Sequence, residues 1–482
     1  AKDRRNHLLA SVITILNYRN KNVAIKYLTP FINDIKNIEL KYNPSSELSF
    51  FIDEYVKSEF FYLVDYRQGN VESHLYDQFT NSFIEVKTNA RNHKNYIFEN
   101  SVRKNIIYFN KPTDIESFVR ELIVDLPLLV SDELNIAIGE LTDAFDPDYL
   151  LVSCLKRGVA YHHGSMTEPV RNYIEYLFRE CDDLKYLVSS STLLEGINMP
   201  IERLFLLCTK KGIGNLTASH FKNLIGRVNR FSEIFNEPSS KNVEKLKPEV
   251  HIIGTDKYSP DNANFHKFLI NRVNVSKALK DEPKNVLLDV VDIDDNNRDE
   301  YANAVTRLEN LENGVINDYD KRYTNTEVGK LLIANNVTEI DVFLHESEIS
   351  LFIENIACNS ISNTNQLLET IYIAFVSYID ESTVDSPLLR LVNKEAQTFY
   401  AMLLDWKMGN KPFKVMIRLF INYWEKLFNK VADFQIYVGK WGDETKKTGG
   451  HKAHYTTVGK KTRVEKINLA IVRIKEEEDF IE

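Results

Sequence analysis

The period of the hydrophobic positions changes along the chain. Over residues 6–20 apolar side chains recur at helical spacing (Leu8, Leu9, Val12, Ile13, Ile15, Leu16), which predicts a helix, and residues 22–31 then read as a short strand closed by Thr29-Pro30. Residues 36–100 are polar and irregular, rich in Asn, Tyr and Asp, and read as a linker or insertion. Between Asn105 and Thr255 short apolar runs at 105–109, 158–161, 186–188, 204–207 and 250–253 alternate with amphipathic stretches near 113–124, 168–181 and 217–233. That alternation predicts an α/β domain, a parallel sheet covered by helices on both faces. Beyond residue 260 helical periodicity takes over, most clearly from Pro412 to Phe428, with no repeat of fixed period.

Composition narrows the class. The 482 residues are 43% hydrophobic and 27% charged with 17 Gly and 13 Pro, which excludes disordered and fibrous chains and leaves room for roughly three domains. No apolar run approaches the roughly 20 residues that span a bilayer, so a cytoplasmic protein without membrane contact is expected. Cys154, Cys181, Cys208 and Cys358 form no Cys-x-x-Cys pair, which argues against a zinc ribbon or disulfide framework, and no metal ligands are expected in this chain. With 60 Lys and Arg against 69 Asp and Glu, the net charge is −9, so any nucleic-acid site must be a local basic patch. Residues 440–466 offer one: Lys446, Lys447, Lys460 and Lys461 stand among Trp441, Tyr455 and the Gly449-Gly450 pair. A flexible basic loop of this kind can follow a phosphate backbone and stack on bases; a solvated surface loop is the alternative.

The chemistry concentrates in three stretches: Gly158-Val-Ala-Tyr-His-His-Gly-Ser-Met166, Leu187 to Pro200, and Asn223-Leu-Ile-Gly-Arg-Val-Asn-Arg230. Ser189 to Thr192 follow a buried strand and so fall at the carboxyl edge of the sheet, where doubly wound folds bind ligands. Gly196 and Asn198 permit close backbone approach and a polar contact. Arg227 and Arg230, three apart, are expected on one helix face, where two guanidinium forks suit a phosphate chain.

In order and spacing these stretches resemble the second motor domain of superfamily 2 helicases, in particular the Ski-type DExH branch. His162-His163-Gly-Ser-Met resembles that family's His-His-Ala-Gly-Leu segment. Ser191-Thr192-Leu193 through Gly196-Ile-Asn-Met-Pro200 resembles its Thr-x-Thr-Leu-x-x-Gly-Val-Asn-Leu-Pro motif, and Asn223-x-x-Gly226-Arg227-x-x-Arg230 its Gln-x-x-Gly-Arg-x-Gly-Arg motif. The resemblance implies a RecA-like fold, with ATP and Mg2+ as cofactors and Arg227 and Arg230 as catalytic arginines at the γ-phosphate. It further implies that Gly196, Asn198, Asn223 and Gly226 face the nucleotide, and that His163, Ser191, Thr192 and Thr29 face a nucleic-acid strand. Two departures stand out: Asn223 replaces the motif's Gln, and Asn229 replaces its second Gly.

The catalytic parts of a first motor domain are missing from these residues. No Gly-x-x-x-x-Gly-Lys-Ser/Thr phosphate loop and no Asp-Glu-x-His occurs in the sequence. Arg4, Arg5, the helix over 6–20 and Tyr27-Leu28-Thr29-Pro30 resemble the passage that follows the magnesium-binding carboxylates in that family, so the chain is expected to belong to a longer protein. The helical region and the ending after Lys466 resemble the large helicase subunits of two-gene bacterial antiphage systems such as Hachiman, which implies a partner nuclease or effector.

The expected organisation is a motor-domain remnant over 1–35, a linker over 36–100, a second RecA-like domain over 101–258, a helical accessory domain over 259–430, and a basic loop with a terminal helix over 431–482. The expected function is ATP-driven movement along single-stranded or forked DNA, or RNA. The alternative is a non-catalytic nucleic-acid-binding or scaffold module derived from a helicase half.

Overall fold

The computed structural model describes residues 12–13, 16, 19–20, 22–24, 26, 57–69, 71–191, 199–235, 240–260, 262–273, 287–288, 291–295, 297–312, 324–335, 337, 339–357, 361–379, 386–430, 434–438, 441–442, 444–448 and 451–481. The chain forms two compact units, one from Ala1–Asp53 and Lys277–Gly409, the other from Glu54–Ser276 and Asn410–Glu482.

The second unit is built on an eight-stranded sheet. Its strands are β1 (Phe60–Asp65), β2 (Glu72–Asp77), β3 (Ser82–Glu85), β4 (Asn105–Tyr108), β5 (Val159–His162), β6 (Tyr186–Ser189), β7 (Arg203–Leu206) and β10 (Glu249–Gly254). A small hairpin, β8 (Lys210–Lys211) and β9 (Gly214–Asn215), stands apart from it. The order across the sheet is β3-β2-β1-β10-β7-β4-β6-β5. From β1 to β5 every neighbouring pair is parallel; β2 and β3 add an antiparallel edge. All four residues of β4, of β5 and of β6 are buried, because helices cover both faces. This is the α/β, RecA-like sheet expected from the apolar runs.

The helices of this unit are α1 (His93–Glu99), α2 (Pro112–Val124), α3 (Asp132–Ala144), α4 (Leu150–Leu155), α5 (Glu168–Glu180), α6 (Ala218–Ile225), α7 (Phe231–Phe235), α8 (Phe265–Val273), α9 (Phe413–Lys430) and α10 (Arg463–Ile481). α2 opens with Pro at its first turn, and Ser131 caps α3 by accepting from the Leu134 N–H.

Three expectations change. The segment 36–100 is not all linker: β1 lies in register with β10 from Phe60↔Glu249 to Asp65↔Gly254, and β2 and β3 extend the sheet. β1 is a short apolar run within polar sequence: Phe61, Leu63 and Val64 are buried, and Tyr62 stacks on His251 with ring centroids 4.9 Å apart. Residues 259–430 are not one helical domain, since α9 belongs to the α/β unit; Lys414 Nζ donates to the Thr142 carbonyl at 3.1 Å, and the Phe413 and Phe145 rings lie 5.0 Å apart. Finally, 431–482 holds a three-stranded antiparallel sheet of β11 (Gln435–Tyr437), β13 (His451–Thr457) and β12 (Glu444–Thr448) in place of a basic loop. Its Thr, Tyr and His residues supply the strand propensity.

The other unit is helical where described, with helices Arg298–Glu312, Glu327–Ala334, Val342–Ala357, Thr364–Ala374 and Lys394–Met408. Leu287 and Leu308 form a buried cluster against which Ile13 packs. Residues 22–24 and 26 carry no strand, and Thr29 lies outside the described residues. Among the described residues no helix is long and apolar enough to cross a membrane.

Candidate functional site

The carboxyl ends of β4, β5 and β6 finish level with one another. The Phe109 N–H donates to the Ser189 carbonyl at 2.8 Å, and the Ser190 N–H donates to the His162 carbonyl at 3.2 Å. Ser189 and Ser190 are buried, and Ser191 is half-buried at the start of the segment that leaves the sheet. Thr192, Gly196 and Asn198 lie outside the described residues. The chain is described again from Met199, which is buried, and Ile201 then forms a parallel bridge with Val228.

That bridge reshapes the arginine segment. α6 begins at a Thr217 cap, whose hydroxyl accepts from the His220 N–H at 3.1 Å, and stops at Gly226, whose N–H donates to the Lys222 carbonyl at 2.8 Å. Asn229 adopts φ +49°, in the left-handed region, and its N–H donates to the Ile201 carbonyl at 2.6 Å. Lys57, from the segment expected to be linker, donates from Nζ to the Val228 carbonyl at 2.9 Å. The expected helix over 217–233 is therefore two helices, α6 and α7, separated by a turn. Arg227 and Arg230 do not share a helix face; they flank a turn fixed from both sides. The helical spacing ends there because Val228 is drawn into the bridge with Ile201.

Arg227 is only 6% exposed, whereas Arg230 is half-buried and Asn223 and Gly226 are exposed. Burial, and after it the charge of Arg230, push the Arg227 guanidinium below the usual arginine range. A guanidinium stays protonated in proteins, so two of them side by side make this turn cationic. The turn is chemically suited to phosphate.

The two histidines after β5 part company. His162 Nε2 lies 2.9 Å from Glu175 Oε1 of α5. His163 is 1% exposed, stacks on Tyr161 (5.5 Å, 13°) and abuts Trp441 at 5.5 Å. Its Nε2 stands 3.8 Å from Glu116 Oε1, too far for a hydrogen bond. Glu116 instead accepts from Asn468 Nδ2 of α10 at 2.9 Å and from Arg120 at 2.9 Å. Burial lowers the His163 pKa, with Glu116 opposing and His162 and Arg171 reinforcing the shift. His163 is thus covered by the C-terminal segment, and its expected contact with a nucleic-acid strand is corrected.

The backbone of Lys446 and Lys447 runs in β12, where the register sets Lys447 opposite Lys452. Lys460 is exposed and Lys461 half-buried, at the short turn before α10. Among the described residues, Glu133, Cys181 and Asp183 bring metal-type donor atoms within 4.8 Å of one another, near the amino end of β6. Sequence reasoning missed Lys57, since nothing in a segment 171 residues from Val228 marks it as a partner of that carbonyl.

No family model matches this chain. It is 39% identical over 83 residues to DNA polymerase theta of Caenorhabditis elegans, a match covering 17% of this chain and 5% of that protein. It is 34% identical over 111 residues to the ATP-dependent DNA helicase Hel308 of Thermoplasma acidophilum, covering 22% of this chain and 16% of that protein. To the antiviral helicase SKI2 of Saccharomyces cerevisiae it is 34% identical over 82 residues, 16% of this chain and 6% of that protein. The matches thus span less than a fifth of these curated relatives' lengths. They support a relationship to superfamily 2 DExH helicases and a helicase-related function.

Proposed function

We propose that the α/β unit is the second motor domain of an ATP-dependent helicase or translocase. ATP and Mg2+ bind between it and a first motor domain that supplies the phosphate loop and the metal-binding carboxylates. The observation that carries this reading is the buried Arg227 beside Arg230 on a turn pinned to Ile201, two residues before β7 at the amino edge of the sheet. These two residues act on the γ-phosphate, where an arginine finger contributes about 10³ to 10⁵ in rate. Gly196, Asn198, Asn223 and Gly226 line the nucleotide.

Ser191, Thr192 and Thr29, with Lys446, Lys447, Lys460 and Lys461, meet single-stranded or forked DNA; the names of two relatives, DNA polymerase theta and the DNA helicase Hel308, support DNA over RNA. Cytoplasmic antiphage defence with a partner nuclease is the setting this reading extends to; the name of the yeast antiviral helicase supports it.

The test is ATP turnover in a protein that pairs this chain with a phosphate-loop domain. Arg227→Ala and Arg230→Ala are each expected to cost about 10³-fold or more in kcat with DNA affinity retained. Near-normal turnover in both variants overturns the assignment.

A further inference from the structure

Two aromatic rings stand beside the arginine turn, and the phosphate chemistry leaves them unused. Phe231 follows Arg230 directly, and Phe235 lies four residues on, one helical turn away. Their rings are nearly parallel, 19° apart in orientation with centroids 6.1 Å apart. They are 46% and 65% exposed, although Ile234 of the same short helix is fully buried. The helix therefore anchors itself through Ile234 and turns a flat apolar surface outward. Lys57 ties that surface to the turn: its Nζ lies 5.0 Å from the Phe231 ring centroid while donating to the Val228 carbonyl between the two arginines.

A nucleoside triphosphate joins a polyanion to a flat aromatic base, and this surface joins a cationic turn to a flat aromatic pair. We propose that Phe231 and Phe235 form the stacking platform for the base of the nucleotide whose phosphates are held by Arg227 and Arg230. The inference rests on the nucleotide reading above and adds a base subsite to it. Stacking uses the π-face that every base has, so such a platform binds purines with little discrimination between them.

The experiment is calorimetric titration of a protein that pairs this chain with a phosphate-loop domain, using ATP, GTP and inorganic tripolyphosphate. ATP and GTP are expected to bind comparably and more tightly than tripolyphosphate. Phe231→Ala and Phe235→Ala are each expected to weaken ATP and GTP by about tenfold and to leave tripolyphosphate unchanged. Both side chains are exposed, so the variants are expected to fold, and circular dichroism melting checks this. Phe231→Leu keeps apolar area without the π-face and is expected to behave like Phe231→Ala. Phe variants that bind ATP as tightly as the unaltered chain, as they would if the pair instead docks another protein domain, overturn the base platform alone. Failure of both ATP and tripolyphosphate to bind overturns the phosphate reading and the platform with it.

Discussion

The Asn229 N–H donates to the Ile201 carbonyl at 2.6 Å, so the turn between Arg227 and Arg230 is fastened to the strand-like segment that follows the Ser191 stretch. Two segments about 30 residues apart in sequence, at Ile201 and at Val228–Asn229, are thereby held together. The fastening requires Asn229 to hold φ +49°. This accounts for the departure from the resembling motif, which has Gly at this place: Asn is among the few other residues that enter the left-handed region readily.

Asn229→Gly is therefore expected to leave stability within about 0.5 kcal/mol and to keep nucleotide binding. Asn229→Val should cost about 1–3 kcal/mol, because a β-branched residue is strained at this φ, and should weaken tripolyphosphate binding by displacing the arginines. Urea unfolding and calorimetry of the two variants check this. Equal behaviour of Gly and Val would show that the turn does not need the left-handed residue.

His163 makes stability depend on pH. Its ring is buried beside Tyr161 and Trp441, neither ring nitrogen has a hydrogen-bond partner among the described residues, and burial holds its pKa below the usual value of 6.5. The unfolded chain takes up a proton near pH 6.5 while the folded chain does not, so stability is full above that pH and falls as the pH drops toward the folded value. The slope is at most about 1.4 kcal/mol per pH unit for each such histidine. His251, stacked between Tyr62 and Phe205 with its pKa also lowered by burial, adds in the same direction. His163→Phe keeps the stacked ring and breaks no hydrogen bond of the imidazole. It is expected to retain the fold and to flatten the fall in Tm between pH 7 and pH 5; an unchanged profile would remove His163 as its source.

How much of this was legible in sequence follows from the physics of each element. β4, β5 and β6 are buried on both faces, so continuous apolar runs marked them. β2 and β3 alternate apolar and polar residues toward a sheet edge, and β1, a short apolar run inside the sheet, was obscured by the polar sequence around it. The arginine motif was visible, but its shape was not: Val228 and Phe231 continue helical spacing, and only the non-local bridge to Ile201 breaks the helix. Two adjacent histidines at a strand end point to opposite faces, and sequence cannot tell which one meets Glu175 and which lies beneath Trp441.

Lys104 offers a test at the amino edge of the sheet, where its carbonyl accepts from the Glu202 N–H beside Ile201 at 3.0 Å. It is fully buried at the start of β4, donates from Nζ to the carbonyls of Cys181 and, at 3.0 Å, Leu184, and lies 4.8 Å from the Phe178 ring centroid. Burial pushes its pKa down to about 8. Lys104→Ala should cost about 3 kcal/mol or more, since it removes a donor from two buried carbonyls, of which that of Cys181 keeps only the Leu184 N–H at 3.2 Å, and leaves a void where the stem packed. Lys104→Met loses the same donors but keeps the stem and removes a buried charge, so it should cost about half as much. Urea midpoints rank the two variants; Met as damaging as Ala would assign the whole effect to the hydrogen bonds.

The last prediction concerns what fastens the C-terminal helix to the sheet. Asn468 of α10 donates to buried Glu116 of α2 at 2.9 Å and accepts, through Oδ1, from the Leu150 N–H at 3.4 Å. Arg463 at the start of the same helix reaches Asp148 at 2.7 Å in a largely exposed pair, and buried Asp146 only at a longer 3.4 Å, so it contributes less. The buried contact should dominate. Asn468→Ala leaves a carboxylate nearly without solvent and with one fewer donor, and is expected to cost about 1–3 kcal/mol, against less than about 1 kcal/mol for Arg463→Ala. Adding Glu116→Gln removes the buried charge that Asn468 serves, so the double variant should be more stable than the sum of the single effects predicts. Urea unfolding across this double-mutant cycle measures the coupling. Strict additivity would mean that α10 is held by its apolar residues alone, Ile467, Ile471 and Ile474 among them, all of which are buried.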